Sequence, residues 1–186
     1  MEESVVAIQL AHHISRARLG RRRLALHTGL TEMAVRIELE RLRDRRLVRL
    51  SRGGVELTPA GRRRFSPSLR FVRSVARLEL TSLRIDDVGV AAHVAPCEFG
   101  SVWGLRDAAV REGATGLLLL RFGLSGWAFA HDGESVQLRN PEDAESIAAV
   151  FPEPAQADLL LIAFGPDLKC AGLGLWHSVS AMLFPS

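Results

Sequence analysis

Residues 30–61 read LTEMAVRIELERLRDRRLVRLSRGGVELTPAG. Seven arginines stand there against five acids, set among regularly spaced leucines. Val35, Leu39 and Leu42 recur at helical spacing, and Leu47 continues the apolar stripe past the helix end. The opposite face carries Glu32, Met33, Arg36, Glu40 and Arg43. Thr31 is a preferred N-cap, and Glu32 lies in the first turn, where the helix dipole favours an anion. Beyond this helix, Leu47–Leu50 and Val55–Thr58 flank Ser51-Arg52-Gly53-Gly54, a glycine pair between β-formers that signals a hairpin. Thr58-Pro59 then opens another helix, with proline in the first turn, where a missing N–H costs nothing.

Working towards the N-terminus, Val5, Val6, Ile8, Gln9 and Leu10 mark an amphipathic helix from about Glu3 to Ile14. A second short helix from Arg21 to His27 presents Leu24 and Ala25 inward, and Gly29 supplies the residue that a tight interhelical turn needs. The order is helix, helix, turn, helix, hairpin, helix.

The charge is divided by position. Residues 1–77 hold 18 basic and 7 acidic side chains, net +11, whereas residues 78–186 hold 6 and 14, net −8, which together give the overall +3. This asymmetry predicts two domains, 1–75 and 76–186, the first with a polyanionic partner. Only one basic residue, Lys169, is not arginine. That bias fits phosphate recognition through a planar fork of donors, and it equally fits a GC-rich or thermophilic genome.

The element order resembles the winged helix-turn-helix of MarR- and ArsR-like transcriptional regulators over roughly residues 3–66. The resemblance rests on GLTEMAVRIELERLRDRRLV and RGGVELTPAG, the latter close to the wing-and-exit pattern of a glycine-bearing loop before Leu-Thr-x-x-Gly. One departure is Arg46, which stands where such families place glycine before the Leu-Val pair. The resemblance implies a double-stranded DNA partner, with the third helix in the major groove and the wing and second helix on flanking phosphates. Arg36 is then the candidate for a base edge, Arg43 lies on the same helical face, and Met33 meets a thymine methyl. Arg21, Arg22 and Arg52 hold phosphates, and Thr31 belongs to the same surface. The competing reading of each arginine is a solvated charge.

Helix four is expected to end near Ser66-Pro67. In SLRFVRSVARLEL, Leu69, Val72 and Ala76 fall on one helical stripe and Phe71, Val75 and Leu78 on another. A helix apolar on two faces predicts either part of a homodimer interface or a core helix joining the domains.

From Val88 strands and helices alternate. VGVAAHV, TGLLLLRF, WAFA and ADLLLIAF read as strands, the second and fourth buried on both faces. Helices are expected at Ser101–Arg111, burying Val102, Leu105, Ala109 and Trp103, from Pro141, and from Leu168 to Leu183 capped by Asp167. The predicted fold class is α+β: an N-terminal winged helix-turn-helix followed by a small α/β domain with a mixed sheet.

No catalytic motif emerges from the second half. Its glycine-bearing stretches, GATG at 113–116 and GLGLW at 172–176, match no nucleotide-binding fingerprint, so no cofactor is expected. Cys97 and Cys170 lie 73 positions apart, and His93, His131 and His177 are scattered, which predicts neither a metal site nor a disulfide framework. Arg106 and Asp107, early in an apolar helix, are the candidate ligand-binding pair for a small-molecule effector carrying a carboxylate or phosphate. Their alternative role is a salt bridge that orders the fold, with Glu98 or Asp132 as acid. The segment GLRDAAVREGATG resembles one found in archaeal winged-helix proteins with a C-terminal domain of undefined role. The expected chain is a cytoplasmic, dimeric, non-enzymatic transcriptional regulator with no signal or membrane segment. An enzyme carrying an accessory winged helix, or an RNA- or protein-interaction module, is the alternative.

Overall fold

The computed structural model describes residues 3–184. The chain is an α+β protein that divides into two compact units between Arg70 and Phe71.

The first unit runs α1 (Val5–Arg16), α2 (Arg21–Thr28), α3 (Glu32–Asp44), β1 (Val48–Ser51), β2 (Gly54–Leu57), α4 (Pro59–Arg64) and most of α5 (Ser66–Phe71). Helix starts follow the side chains named in the sequence: Thr31 Oγ1 accepts from Ala34 N–H, and Thr58 Oγ1 accepts from Gly61 N–H. Gly29 ends α2 in the left-handed region, as the turn requires. Val35, Leu39 and Leu42 are buried on one side of α3, and Leu24, Leu10 and Phe65 complete the same apolar interior. Strands β1 and β2 form an antiparallel hairpin with the loop Arg52-Gly53, and Leu19 adds an isolated bridge to Val55. The glycine of the exit motif has a steric reason. A Cβ on Gly61 would lie 2.0 Å from the Leu47 carbonyl oxygen, so this close approach of α4 to the strand entry excludes any side chain.

Three acids brace this unit. Glu3 receives bidentate bonds from Arg45 and a further bond from Arg64, tying the start of α1 to the ends of α3 and α4. These bonds, Arg45's foremost, hold its carboxyl below the usual range against a desolvation that opposes them. Glu56 pairs with Arg18 and Arg49, and Glu38 accepts from Ser4 and faces Arg41.

The second unit is built on one five-stranded sheet of order β3-β4-β7-β5-β6, where β3 is Val72–Arg77, β4 Val88–Val94, β5 Gly116–Gly123, β6 Gly126–Phe129 and β7 Leu159–Gly165. Every neighbouring pair is antiparallel. The expectation of a mixed sheet is therefore corrected: β7, the last strand in the chain, inserts between β4 and β5 and runs antiparallel to both. All seven residues of β7 are buried, as its continuous apolar sequence predicts. Leu160, Ile162 and Phe164 pack with Ile147 of α8 (Pro141–Val150) and Val136 of α7 (Val136–Arg139). The alternate residues Leu159, Leu161 and Ala163 are covered from the other side by α9 (Leu168–Leu183), which packs on β7, β4 and α6 (Val102–Arg111).

Residues 72–77 correct a second expectation. They are strand β3, paired with β4 through a bulge between Val72 and Ser74, and only Ser66–Phe71 is helical. The proposed boundary after residue 75 falls inside this strand. Trp103 is a third correction, being 67% exposed rather than buried with Leu105 and Ala109. Asp143 has an assignment the sequence did not suggest. This buried carboxylate accepts from the backbone N–H groups of Thr81, Ser82 and Leu83 at 2.6, 2.9 and 2.7 Å, fixing the β3–β4 loop to α8.

Candidate nucleic-acid interface

The buried spacing of Val35, Leu39 and Leu42 leaves the opposite side of α3 to solvent. That side presents Met33, 61% exposed, together with Arg36, Glu40 and Arg43. Arg36, Glu40 and Arg43 line an open groove with Arg21 at the start of α2 and Arg52 at the hairpin tip. Three separate elements thus bring four of the sequence-predicted arginines to one concavity of about 510 Å³.

These arginines differ in their partners. Arg21 and Arg52 have no acidic partner among the described residues, so their guanidinium groups stand ready for an anion. Arg22 lies 3.6 Å from Glu32 with both side chains largely exposed, a pair that holds little energy. Arg36 Nε donates to Glu40 Oε1 at 2.8 Å, and Arg43 donates through Nε and Nη2 to Asp44 Oδ1 at 3.3 and 3.1 Å. The bond to Glu40 raises the Arg36 guanidinium above its ordinary value, and the same bond lowers the Glu40 carboxyl. Thr31 has its hydroxyl oxygen committed to the α3 cap while its side chain remains exposed. Sequence reasoning missed two features here. Glu40 is the fixed partner of Arg36, a relation its i,i+4 spacing encodes. Ile37, 45% exposed, extends the apolar strip from Met33 along the same helix.

In the second unit, Arg106 and Asp107 are both exposed on the solvent side of α6. Arg106 stands over the Trp103 ring at 5.9 Å, and neither Glu98 nor Asp132 pairs with it; Asp132 pairs with His131 instead. Gly174 of GLGLW serves packing, since a Cβ there would stand 2.5 Å from Ala114 Cβ and 3.0 Å from the Ala109 carbonyl oxygen. Cys97 and Cys170 are free, and burial is the foremost cause that pushes both thiols up, away from the range of an activated nucleophile. Among the described residues no group of three or more metal-ligating side chains converges, and no helix is long and apolar enough to cross a membrane.

A polar cluster joins the buried His93 on β4 and Asp158 just before β7 to the exposed Arg73 on β3. His93 Nε2 lies 2.7 Å from Asp158 Oδ2, Arg73 Nη2 lies 2.9 Å from Oδ1, and Ala155 N–H donates to Oδ2 at 2.8 Å. Asp158 is fully buried, and the charge that faces it is Arg73, whose own side chain is 41% exposed. These contacts clasp β3, β4 and the entry to β7 together. Sequence separation of 65 residues concealed it.

No protein-family model and no curated protein matches the chain. Among solved structures, the chain is similar to "Hypothetical protein PH0730 from Pyrococcus horikoshii OT3" at a TM-score of 0.76 and 21% identity, covering 97% of this chain and 93% of that one. The likeness is one of fold and spans both units.

Proposed function

We propose that the chain is a DNA-binding transcriptional regulator whose first unit is a winged helix-turn-helix, acting as a homodimer on double-stranded DNA. The observation that carries this reading is the convergence of Arg21, Arg36, Arg43 and Arg52, from three elements, on one groove of a unit whose residues 1–70 hold 16 basic and 7 acidic side chains, net +9. In this reading α3 enters the major groove, with Arg36 on a base edge and Met33 against a thymine methyl. Arg52 on the hairpin and Arg21 and Arg22 on α2 hold flanking phosphates. Support comes also from the α2–Gly29–α3 turn and from the hairpin that follows directly. The acidic second unit serves dimerisation or the sensing of a small-molecule effector, with Arg106 as the candidate contact for an anionic ligand and Asp107 compensating its charge.

Selection of bound sequences from a random duplex pool at fixed salt tests the proposal. Enrichment of a palindrome with half-sites about one helical turn apart supports both the regulator and the dimer. A pool that stays random contradicts it.

A further inference from the structure

We propose that Glu40 is a specificity-determining residue: it grips Arg36 by its Nε edge, presents the outer fork to a guanine, and penalises duplexes lacking that guanine. The inference rests on the reading that α3 meets duplex DNA, and deepens it by naming the base.

The geometry is specific about which part of the guanidinium is used. An arginine carries five N–H donors in a fixed plane. The bond to Glu40 Oε1 at 2.8 Å consumes the one on Nε. Nη1 and Nη2 make no hydrogen bond or ion pair among the described residues. Those two nitrogens form the fork that matches O6 and N7 of guanine, the commonest bidentate contact in the major groove. Both side chains are about half exposed and both line the groove, which leaves the fork accessible to a base edge seated there. An arginine held in advance by a neighbour loses less conformational freedom on binding than one that searches freely.

Glu40 also acts against wrong sites. Its carboxyl is held below the ordinary range, foremost by the hydrogen bond from Arg36, so it remains a charged acceptor at neutral pH. A carboxylate cannot donate to phosphate oxygens or to the O6, N7 and O4 acceptors of bases, and close to them it repels. Arg36 by itself would bind any phosphate; with Glu40 fixed beside it, the pair is favourable where Arg36 finds two acceptors in the fork geometry. Pairs between exposed groups are weak in isolation, so Glu40 is expected to matter for discrimination more than for fold stability.

The test uses the full chain and duplexes drawn from the random-pool selection, with each guanine in turn replaced by 7-deazaguanine, which lacks the N7 acceptor. For the wild type, one replacement should weaken binding on the order of tenfold. Arg36→Ala should bind less tightly and show no sensitivity at that position. Glu40→Ala should lose most of the sensitivity and bind unrelated duplexes several-fold more tightly. Glu40→Gln keeps an acceptor oxygen without the charge; it should retain the sensitivity yet gain affinity for unrelated duplexes. Circular dichroism should show the helical content of every variant unchanged. If no replacement weakens the wild type, or if Glu40→Ala discriminates as the wild type does, the inference is overturned while the DNA reading stands. A wild type that binds no duplex overturns both.

Discussion

The amide of Leu47 donates to the carbonyl of Leu42 at 2.8 Å, and the turn it closes places Arg46 in the left-handed region at φ 59°. A second bond, Arg46 N–H to Arg43 C=O at 2.8 Å, completes a Schellman cap at the end of α3. Glycine adopts this conformation freely, whereas a residue with Cβ is strained there by about 1–2 kcal/mol. The departure from glycine in the Leu-Val motif thus leaves the turn intact and costs stability. Arg46→Gly should stabilise the first unit by about 1 kcal/mol, since glycine's greater freedom in the unfolded chain offsets part of the relief. A raised denaturation midpoint at unchanged slope is the expected result; a lowered one contradicts the assignment.

Acid should weaken the first unit before its carboxylates titrate. Burial lowers His12 to about 3, with His13 and Arg16 adding repulsion, and lowers His13 to about 4, with His27 adding repulsion. In the unfolded chain both rings protonate near 6.5. The unfolded state therefore binds more protons below that value, and stability falls as pH drops from about 6.5 towards 4 and below. The braced carboxylates, whose folded values lie below 4.5, contribute their losses only at lower pH. Denaturant titrations between pH 7.5 and 5 should show this decline, and NMR should find both rings neutral at pH 5. A flat profile contradicts the burial of neutral histidines.

The sequence made much of this architecture legible. Apolar spacing located α1, α3, α6 and α9; Thr31, Thr58-Pro59 and Asp167 marked their own helix starts; and the runs at 116–123 and 159–165 announced the central strands. The segment 72–77 was not legible because Val72 and Ala76, four positions apart, fit helical and alternating patterns alike. Pairing with β4, the next strand along the chain, decided for strand. Strand direction is likewise absent from local pattern, hence the mixed sheet expected and the antiparallel sheet observed. The groove arginines could be placed on their elements from spacing. The pairings that had to await the fold lie outside the groove: Arg45 and Arg64 converge on Glu3 from positions 42 and 61 residues away.

The buried clasp fixes where the second unit begins. A fragment of residues 71–186 retains Arg73 and should unfold cooperatively. One of residues 76–186 loses most of β3 and takes Arg73 from Asp158, leaving a buried carboxylate with one charged partner fewer. Its stability should be lower by about 2 kcal/mol or more. Equal melting temperatures for the two fragments contradict the structural importance of the clasp.

Arg36 and Arg52 should fail differently when replaced by alanine. Loss of a base-reading Arg36 should cost about 1–3 kcal/mol on the selected site and relax preference at one position. Loss of Arg52 at the hairpin tip should weaken all duplexes to a similar degree. Competition binding against a panel of single-base variants separates the two, and indistinguishable panels contradict the assigned roles.

The most direct measurement of the central claim is the dependence of duplex affinity on salt. If Arg21, Arg22 and Arg52 each neutralise one phosphate, log K should fall linearly with log salt at a slope of about −2.7, near −0.9 per contact. Arg52→Ala should make that slope shallower by about one unit. A slope near zero, or no binding at low salt, contradicts the account.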